Sequence, residues 1–271
     1  MKRSLLLIAT LQFLFVFAHA QSILSGLVKD SDGKEISYVN IGIKNSKTGT
    51  VSTIDGKFSI SIPDSLLRDS LTFSSVGFNE KSFLIAQLMA NKNLTVTLNE
   101  KVTTLAEVKI SNIKRKQYKL GITGRTPMLS IPSRSYQKTD IIEQARLIHL
   151  KKPSKLINAN IFVLSESMKA VNIRLNFYAV ENGMPGKRLV EKTIIKKANL
   201  QKGWFTIDLQ DEDIYLDQDF VVAFEYLPSE QSAISFAAKL GAADSFLRSN
   251  SQGIWRKNSV GGCSIYVTAE Q

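Results

Sequence analysis

Six carboxylates crowd one short stretch, at Asp208, Asp211, Glu212, Asp213, Asp217 and Asp219. Oxygen ligands at such intervals suit a hard cation such as calcium. No glycine at position six or glutamate at position twelve falls into EF-hand register, so solvated loop charges are the expected reading. His149 is the single histidine beyond residue 20. It is followed by Leu150, Lys151 and Lys152 and by no carboxylate at metal-ligand spacing. A catalytic zinc held by three protein ligands is therefore not expected. Cys263 is the only cysteine, which rules out an intramolecular disulfide. It alternates with Ile265 and Val267, so a buried structural thiol is expected. No Gly-x-Ser-x-Gly elbow, P-loop or Cys-x-x-Cys pair occurs. A glycosidase would need two carboxylates facing across a cleft, which sequence spacing does not define. No catalytic, metal or cofactor residue is assigned, and the chain is not expected to be an enzyme.

The residues left for recognition are aromatic and basic. Trp204 and Trp255 are the candidate ligand-binding residues, because exposed indoles on a sandwich face stack on sugar rings. The plainer alternative is that each packs at a strand end. Trp204 lies beside Phe205 in a strand, which turns one of the two inward. Trp255 sits in a Gly/Ser/Asn-rich stretch, Ser249 to Gly262, which favours its exposure. The net charge of +11 is concentrated in one place. Residues 109–155 hold 12 Lys/Arg against two Asp/Glu, while the segments on either side are close to neutral. Lys114, Arg115, Lys116 and Lys119 are the candidate anion-binding group. They read either as a solvated linker or as a contact to an anionic envelope surface. Nucleic acid is not expected, since no recognised motif or aromatic–basic repeat accompanies the charge.

Positioning these residues falls to strands. Ile23 to Lys29, Val39 to Lys44, Phe58 to Ile62, Leu71 to Phe73 and Leu94 to Leu98 alternate apolar and polar residues. Asp32-Gly33, Thr48-Gly49, Asp55-Gly56 and Pro63-Asp64 separate them as turns. One short helix is expected near Ile85 to Ala90. From Tyr118 onward about eight more strands are expected, including Ile142–His149, Ala159–Leu164, Val171–Ala179, Leu189–Lys196, Gly203–Leu209, Phe220–Tyr226, Ala233–Lys239 and Ser264–Thr268. Glu181 to Lys187 reads as a turn. In the third of these, Val171, Ile173, Leu175 and Phe177 share one face, and Asn172, Arg174, Asn176 and Tyr178 the other. At the N-terminus, Lys2 and Arg3 precede an apolar run from Leu5 to Phe17, and Ala18-His19-Ala20 is a small-x-small site. This is the layout of a secretory signal cleaved between Ala20 and Gln21. The apolar run is shorter than the roughly 20 residues of a spanning helix, and no later segment is apolar enough to cross a bilayer.

The residues Gly26-Leu-Val-Lys-Asp30, Asp32-Gly33, Val39-Asn-Ile-Gly-Ile43, Gly49-Thr-Val-Ser-Thr53, Asp55-Gly-Lys-Phe58 and Ser74-Ser-Val-Gly-Phe78, in that order, resemble the carboxypeptidase regulatory-like domain of the Bacteroidetes type. The resemblance implies a seven-stranded transthyretin-like or immunoglobulin-like sandwich. It extends to the accessory sandwich and not to the zinc enzyme that gives the family its name. The module also resembles the N-terminal extension of TonB-dependent receptors, with Thr104-Leu-Ala-Glu-Val108 similar to the segment that follows it there. The chain after Val108 is far shorter than a plug and a barrel of about 22 strands would need. Ile173-Arg-Leu-Asn-Phe-Tyr178, Gly183-Met-Pro-Gly186, Gly203-Trp-Phe-Thr-Ile-Asp-Leu209 and Phe220-Val-Val-Ala-Phe-Glu225 resemble a domain that follows this module in other Bacteroidetes proteins, and that resemblance implies no activity.

The expected organisation is all-β: a signal peptide at 1–20, a regulatory-like sandwich at 21–100, a basic linker at 101–117 and a second, jelly-roll-like sandwich at 118–271. The expected function is that of an exported, non-catalytic binding or structural protein of the cell envelope, in the periplasm, at the outer membrane or secreted. Its expected partner is an envelope protein, a glycan or an anionic surface. The alternatives are a carbohydrate-binding protein using a tryptophan of the second sandwich and, third, a hydrolase built on that sandwich.

Overall fold

The computed structural model describes residues 21–91, 93–102, 116–133, 135–228 and 234–271. Gln21 opens the first strand, and Ala20 lies outside the described residues, as do Lys114 and Arg115. The first module holds β1 (Gln21–Lys29), β2 (Asn40–Ile43), β3 (Gly49–Val51), β4 (Lys57–Pro63), β5 (Ser70–Ser74), β6 (Lys81–Leu84), α1 (Ile85–Met89) and β7 (Leu94–Thr97). They form two sheets, β4-β1-β7 and β3-β2-β5-β6. Val28, Ile41, Phe58, Ile60, Leu71, Phe73 and Val96 fill the space between them. Phe58 and Phe73 meet edge to face at 5.5 Å. The hairpin into β4 depends on Gly56, whose φ of 69° favours glycine. A Cβ there would also lie 2.6 Å from the Val28 carbonyl oxygen.

The second module holds β8 (Gln117–Gly121), β9 (Ser130–Ser133), β10 (Ile142–Ile148), β11 (Ser154–Val163), β12 (Val171–Glu181), β13 (Met184–Arg188), β14 (Ile194–Ala198) and β15 (Gly203–Asp208). It continues with β16 (Tyr215–Leu216), β17 (Phe220–Tyr226), β18 (Ile234–Leu240), β19 (Ser245–Arg248), β20 (Arg256–Asn258), β21 (Gly261–Cys263) and β22 (Ile265–Glu270). One sheet runs β13-β12-β17-β10-β19-β20, with β14 also on β12. The other runs β21-β18-β11-β22-β8, with β15 and β16 on β11 and β9 on β18. The two sheets face each other across a core that includes Ile161, Leu175, Phe177, Phe220, Val222, Ile265 and Val267. The chain is thus all-β, built of sandwiches.

Several strands differ from the sequence expectation. Glu181–Lys187 is not only a turn: Asn182 and Gly183 alone form it, with φ of 52° and 74°, as a two-residue hairpin requires. The following strand is β13, and the expected strand at Leu189–Lys196 starts later, at Ile194. The second module has more strands than the eight expected, because short edge strands such as β9, β16, β20 and β21 carry too few residues to show a period. Gln117, assigned to the linker, already lies in β8 and pairs with Glu270 of β22.

Cys263 is fully buried. Burial pushes its thiol well above the usual range. The thiol is expected to be inert to a disulfide reagent under native conditions and to react once the chain is unfolded in denaturant. Rapid native labelling would show that the strand end opens readily.

Candidate functional site

The densest set of ionisable groups stands on the outer face of the seven-stranded sheet. Strand register puts Arg174 of β12 opposite Glu225 of β17, Glu225 opposite Glu143 of β10, and Glu143 opposite Arg248 of β19. Four charges, two of each sign, therefore form one row across four strands. Alternation in β12 sends Val171, Ile173, Leu175 and Phe177 into the core and leaves Arg174, Asn176 and Tyr178 on this face. All of these outer residues are nonetheless buried.

Each charge is closely met. Arg174 donates through Nε to Glu225 Oε2 at 2.6 Å and through Nη2 to Glu225 Oε1 at 2.7 Å. Asn176 Nδ2 bridges Glu143 Oε1 and Glu225 Oε2, at 2.9 and 2.7 Å. Glu143 also accepts from Tyr178 Oη at 2.8 Å and from Arg248 Nε at 3.0 Å. Burial alone would raise the Glu225 carboxyl, but the Arg174 guanidinium beside it holds it down at about 2. Arg174 stays protonated although burial opposes its charge, because Glu225 is its partner. Such pairing is what allows charges to remain in a dry interior.

The first module covers the Arg174–Glu225 end of this row. Arg174 Nη2 donates to Asn40 Oδ1 at 2.6 Å, Arg174 Nη1 to the Tyr38 carbonyl at 2.7 Å, and Asn40 Nδ2 to Glu225 Oε1 at 2.8 Å. Ile41 and Ile43 of β2 point into the first core, and Asn40 and Gly42 point at the second module. Around the polar centre lie Val51, Ile141 and Leu227, a small apolar cluster shared by both modules. Val51 N donates to the Thr139 carbonyl at 2.9 Å and Asn45 N to the Gln252 carbonyl at 3.0 Å. The approach is close: a Cβ on Gly42 would lie 2.4 Å from the Ser251 carbonyl oxygen, and one on Gly49 would lie 2.4 Å from Asp140 Oδ2. Asp140 accepts from the Ile141 and Ser251 amides at 2.8 and 2.9 Å. Burial pushes its carboxyl up to about 6.

The aromatic and basic candidates divide between two surfaces. Trp204 lies on the outer face of the eight-stranded sheet, edge to face with Phe162 at 5.2 Å and with Tyr266 at 4.7 Å. Its neighbour Phe205 packs against the core. Lys119 stands over the Tyr266 ring and Arg125 over the Phe162 ring, each at 5.3 Å. Trp204 and Lys119 are thereby brought together on one face. Lys116 is exposed just before β8, its amide bonded to the Gln271 carbonyl at 3.1 Å. Trp255 stands apart, half-buried at the Arg248 end of the charged row. Tyr178 meets it edge to face at 5.7 Å and the Arg248 guanidinium lies 4.7 Å over its ring. Its ring serves as cover for the charged row.

The acidic stretch does not converge on one point. Asp213 pairs with Lys155, Glu212 with Lys192, and Asp219 with His149. Among the described residues no three His, Cys, Asp or Glu side chains gather as a metal set. The charged row itself was missed in the sequence. The available signal was Glu225, a lone charge in an otherwise apolar strand, Phe220–Tyr226.

Residues 24–122 match the family model of the CarboxypepD_reg-like domain. None of the curated proteins compared matches the sequence. Solved structures show only distant likeness. The cysteine protease and lectin-like domains of Cwp84, a surface layer associated protein of Clostridium difficile, align at 10% identity over 93% of this chain and 59% of that one, with a TM-score of 0.38. The major pilin subunit BcpA of Bacillus cereus aligns at 10% identity over 90% of this chain and 69% of that one, with a TM-score of 0.20. The infectious bursal disease virus Gt strain gives 9% identity over 92% and 63%, with a TM-score of 0.28.

Proposed function

We propose, on the premise that this chain carries a CarboxypepD_reg-like domain, that it is an exported, non-catalytic binding or structural protein of the cell envelope. One observation carries the non-catalytic part. The strongest constellation of acids and bases is paired within itself: Arg174 and Glu225 are buried against the first module, Glu143 is buried beside them, and Arg248 is largely covered by Trp255. Groups arranged in this way hold a structure together and have no room for a substrate. Export rests on the basic–apolar–small leader at residues 1–20. Among the described residues no helix is long and apolar enough to cross a membrane.

Cell fractionation with N-terminal sequencing tests the location. The protein is expected in envelope or secreted fractions, beginning at Gln21. Recovery from the cytoplasm with residues 1–20 retained would contradict export. Turnover of a peptide or glycoside panel, lost in a folded Glu225→Gln variant, would contradict the non-catalytic reading.

A second reading, carbohydrate binding, is favoured at Trp204 by its company: two further rings and the cations Lys119 and Arg125 lie on the same sheet face. On a glycan array Trp204→Ala is expected to lose at least about fivefold in binding, the scale of one lost stacking contact of about 1–3 kcal/mol. Trp255→Ala is expected to leave glycan affinity unchanged and to lower stability instead. The reverse pattern would move the site to Trp255.

A further inference from the structure

A cleft of about 130 Å³ opens where the turn between β2 and β3 meets the loop that follows β19. Its walls come from both modules: Asn45 and Lys47 from the first, and Tyr136, Ser249, Ile254 and Arg256 from the second. Lys47 Nζ stands 5.3 Å over the Tyr136 ring, and the Arg256 guanidinium lies 5.9 Å from the same ring. Arg256 Nη2 also donates to Tyr136 Oη at 2.7 Å. Two cations from different modules thus converge on one aromatic ring. Among the described residues neither has a carboxylate at ion-pair distance.

The walls are fixed before any ligand arrives. Asn45 N donates to the Gln252 carbonyl at 3.0 Å, Asn250 Nδ2 to the Ser46 carbonyl at 3.0 Å, and Tyr136 N to the Ser249 carbonyl at 3.3 Å. Asn45 and Gln252 hold left-handed φ of 61° and 60°, which turns the two loops toward each other. Like charges brought together by such a frame repel, and an anion between them relieves the repulsion. Lysine and arginine both give strong charge-assisted hydrogen bonds to oxyanions. Ring and cations together resemble no hydrophobic docking surface.

We propose that this inter-module cleft binds an oxyanion, a phosphate, sulfate or carboxylate, carried on a small ligand, with Lys47 and Arg256 as its two charged contacts. The site is separate from the Trp204 face and does not depend on the glycan reading. Backbone-amide NMR of residues 21–271, titrated with inorganic phosphate, sulfate, glucuronate and glucose, tests it. At least one anion is expected to give saturable shifts at Asn45, Lys47 and Tyr136 that weaken as salt rises, and glucose none. Tighter binding of glucuronate than of the inorganic ions would identify a carboxylated sugar; the reverse order would identify a free or esterified inorganic anion. Lys47→Gln and Arg256→Gln, singly and together, should each weaken binding by about tenfold or more. Both side chains are solvent-facing, so the melting temperature serves as a control for folding. No saturable shift with any anion, equal binding of glucose, or unchanged affinity in folded variants would overturn the proposal.

Discussion

Arg174→Ala is expected to lower the free energy of unfolding by about 3–5 kcal/mol, because it leaves Glu225 charged and alone in the interior. Arg174 supplies two of the hydrogen bonds that Glu225 accepts, and it also holds Asn40 and the Tyr38 carbonyl of the other module. One truncation therefore strips an anion of its counter-ion and removes two of the hydrogen bonds that tie the modules together. A loss of that size is a large share of the 5–15 kcal/mol typical of a folded domain. The double change Arg174→Met with Glu225→Met should recover part of it, since no lone charge is left, although Asn40 and Asn176 still lose partners. Urea unfolding of the three variants decides the matter. A loss below about 1 kcal/mol for Arg174→Ala would mean that water reaches Glu225 and that the row is not sealed.

Stability is expected to fall by roughly 3 kcal/mol as pH rises from about 4 to above 6, with Asp140 as the cause. Its carboxyl lies near 6 in the folded chain against an ordinary value of 3.8. The shift is about two units at 1.36 kcal/mol each. In that window the folded state keeps a proton that the unfolded state has released, so the stabilisation is complete below pH 4 and is lost as pH passes 6. Glu225 acts in the opposite sense. Its folded value of about 2 lies below the ordinary 4.5. Its contribution is present above pH 4.5 and is lost as pH falls toward 2. The two slopes meet near pH 4, where stability should be greatest. Denaturant midpoints between pH 3 and 8 for the native chain and for Asp140→Asn check this. The variant should lose the fall between pH 4 and 6 and keep the acid limb. An unchanged profile would place the effect elsewhere.

The alternation in β12 was legible, and it placed Arg174, Asn176 and Tyr178 together on the face away from the core. What alternation does not convey is whether a polar face meets water or another polar face. Asn40 and Gly42 posed the same question from the other side. Their strand alternates cleanly with Val39, Ile41 and Ile43, and only the docked modules show why an amide and a glycine stand there. β17 held the better clue. Phe220, Val222, Phe224 and Tyr226 face inward, yet Val221 and Ala223 on the outer side are apolar too, the mark of a strand covered on both faces. Glu225 is the exception in that outer row and lies in the charged seam. Trp255 misled for a related reason. Its Gly/Ser/Asn-rich setting describes the local backbone, whereas its burial comes from Arg248 on β19 and from Tyr178, which is distant in sequence. The basic segment showed its charge plainly but not its dispersal: Lys119 and Arg125 sit over aromatic rings, and Arg146 donates to the Ala243 carbonyl at 3.0 Å.

Differential scanning calorimetry of residues 21–271, native and Gly42→Ala, tests most directly whether the charged row locks the two modules into one unit. The native chain should melt in a single transition whose calorimetric and van't Hoff enthalpies agree. Gly42→Ala forces a Cβ against the Ser251 carbonyl oxygen. It should therefore lower that transition or split it into two, at a cost of about 1–3 kcal/mol. Two separate transitions in the native chain, with the hotter one untouched by Gly42→Ala, would contradict the lock.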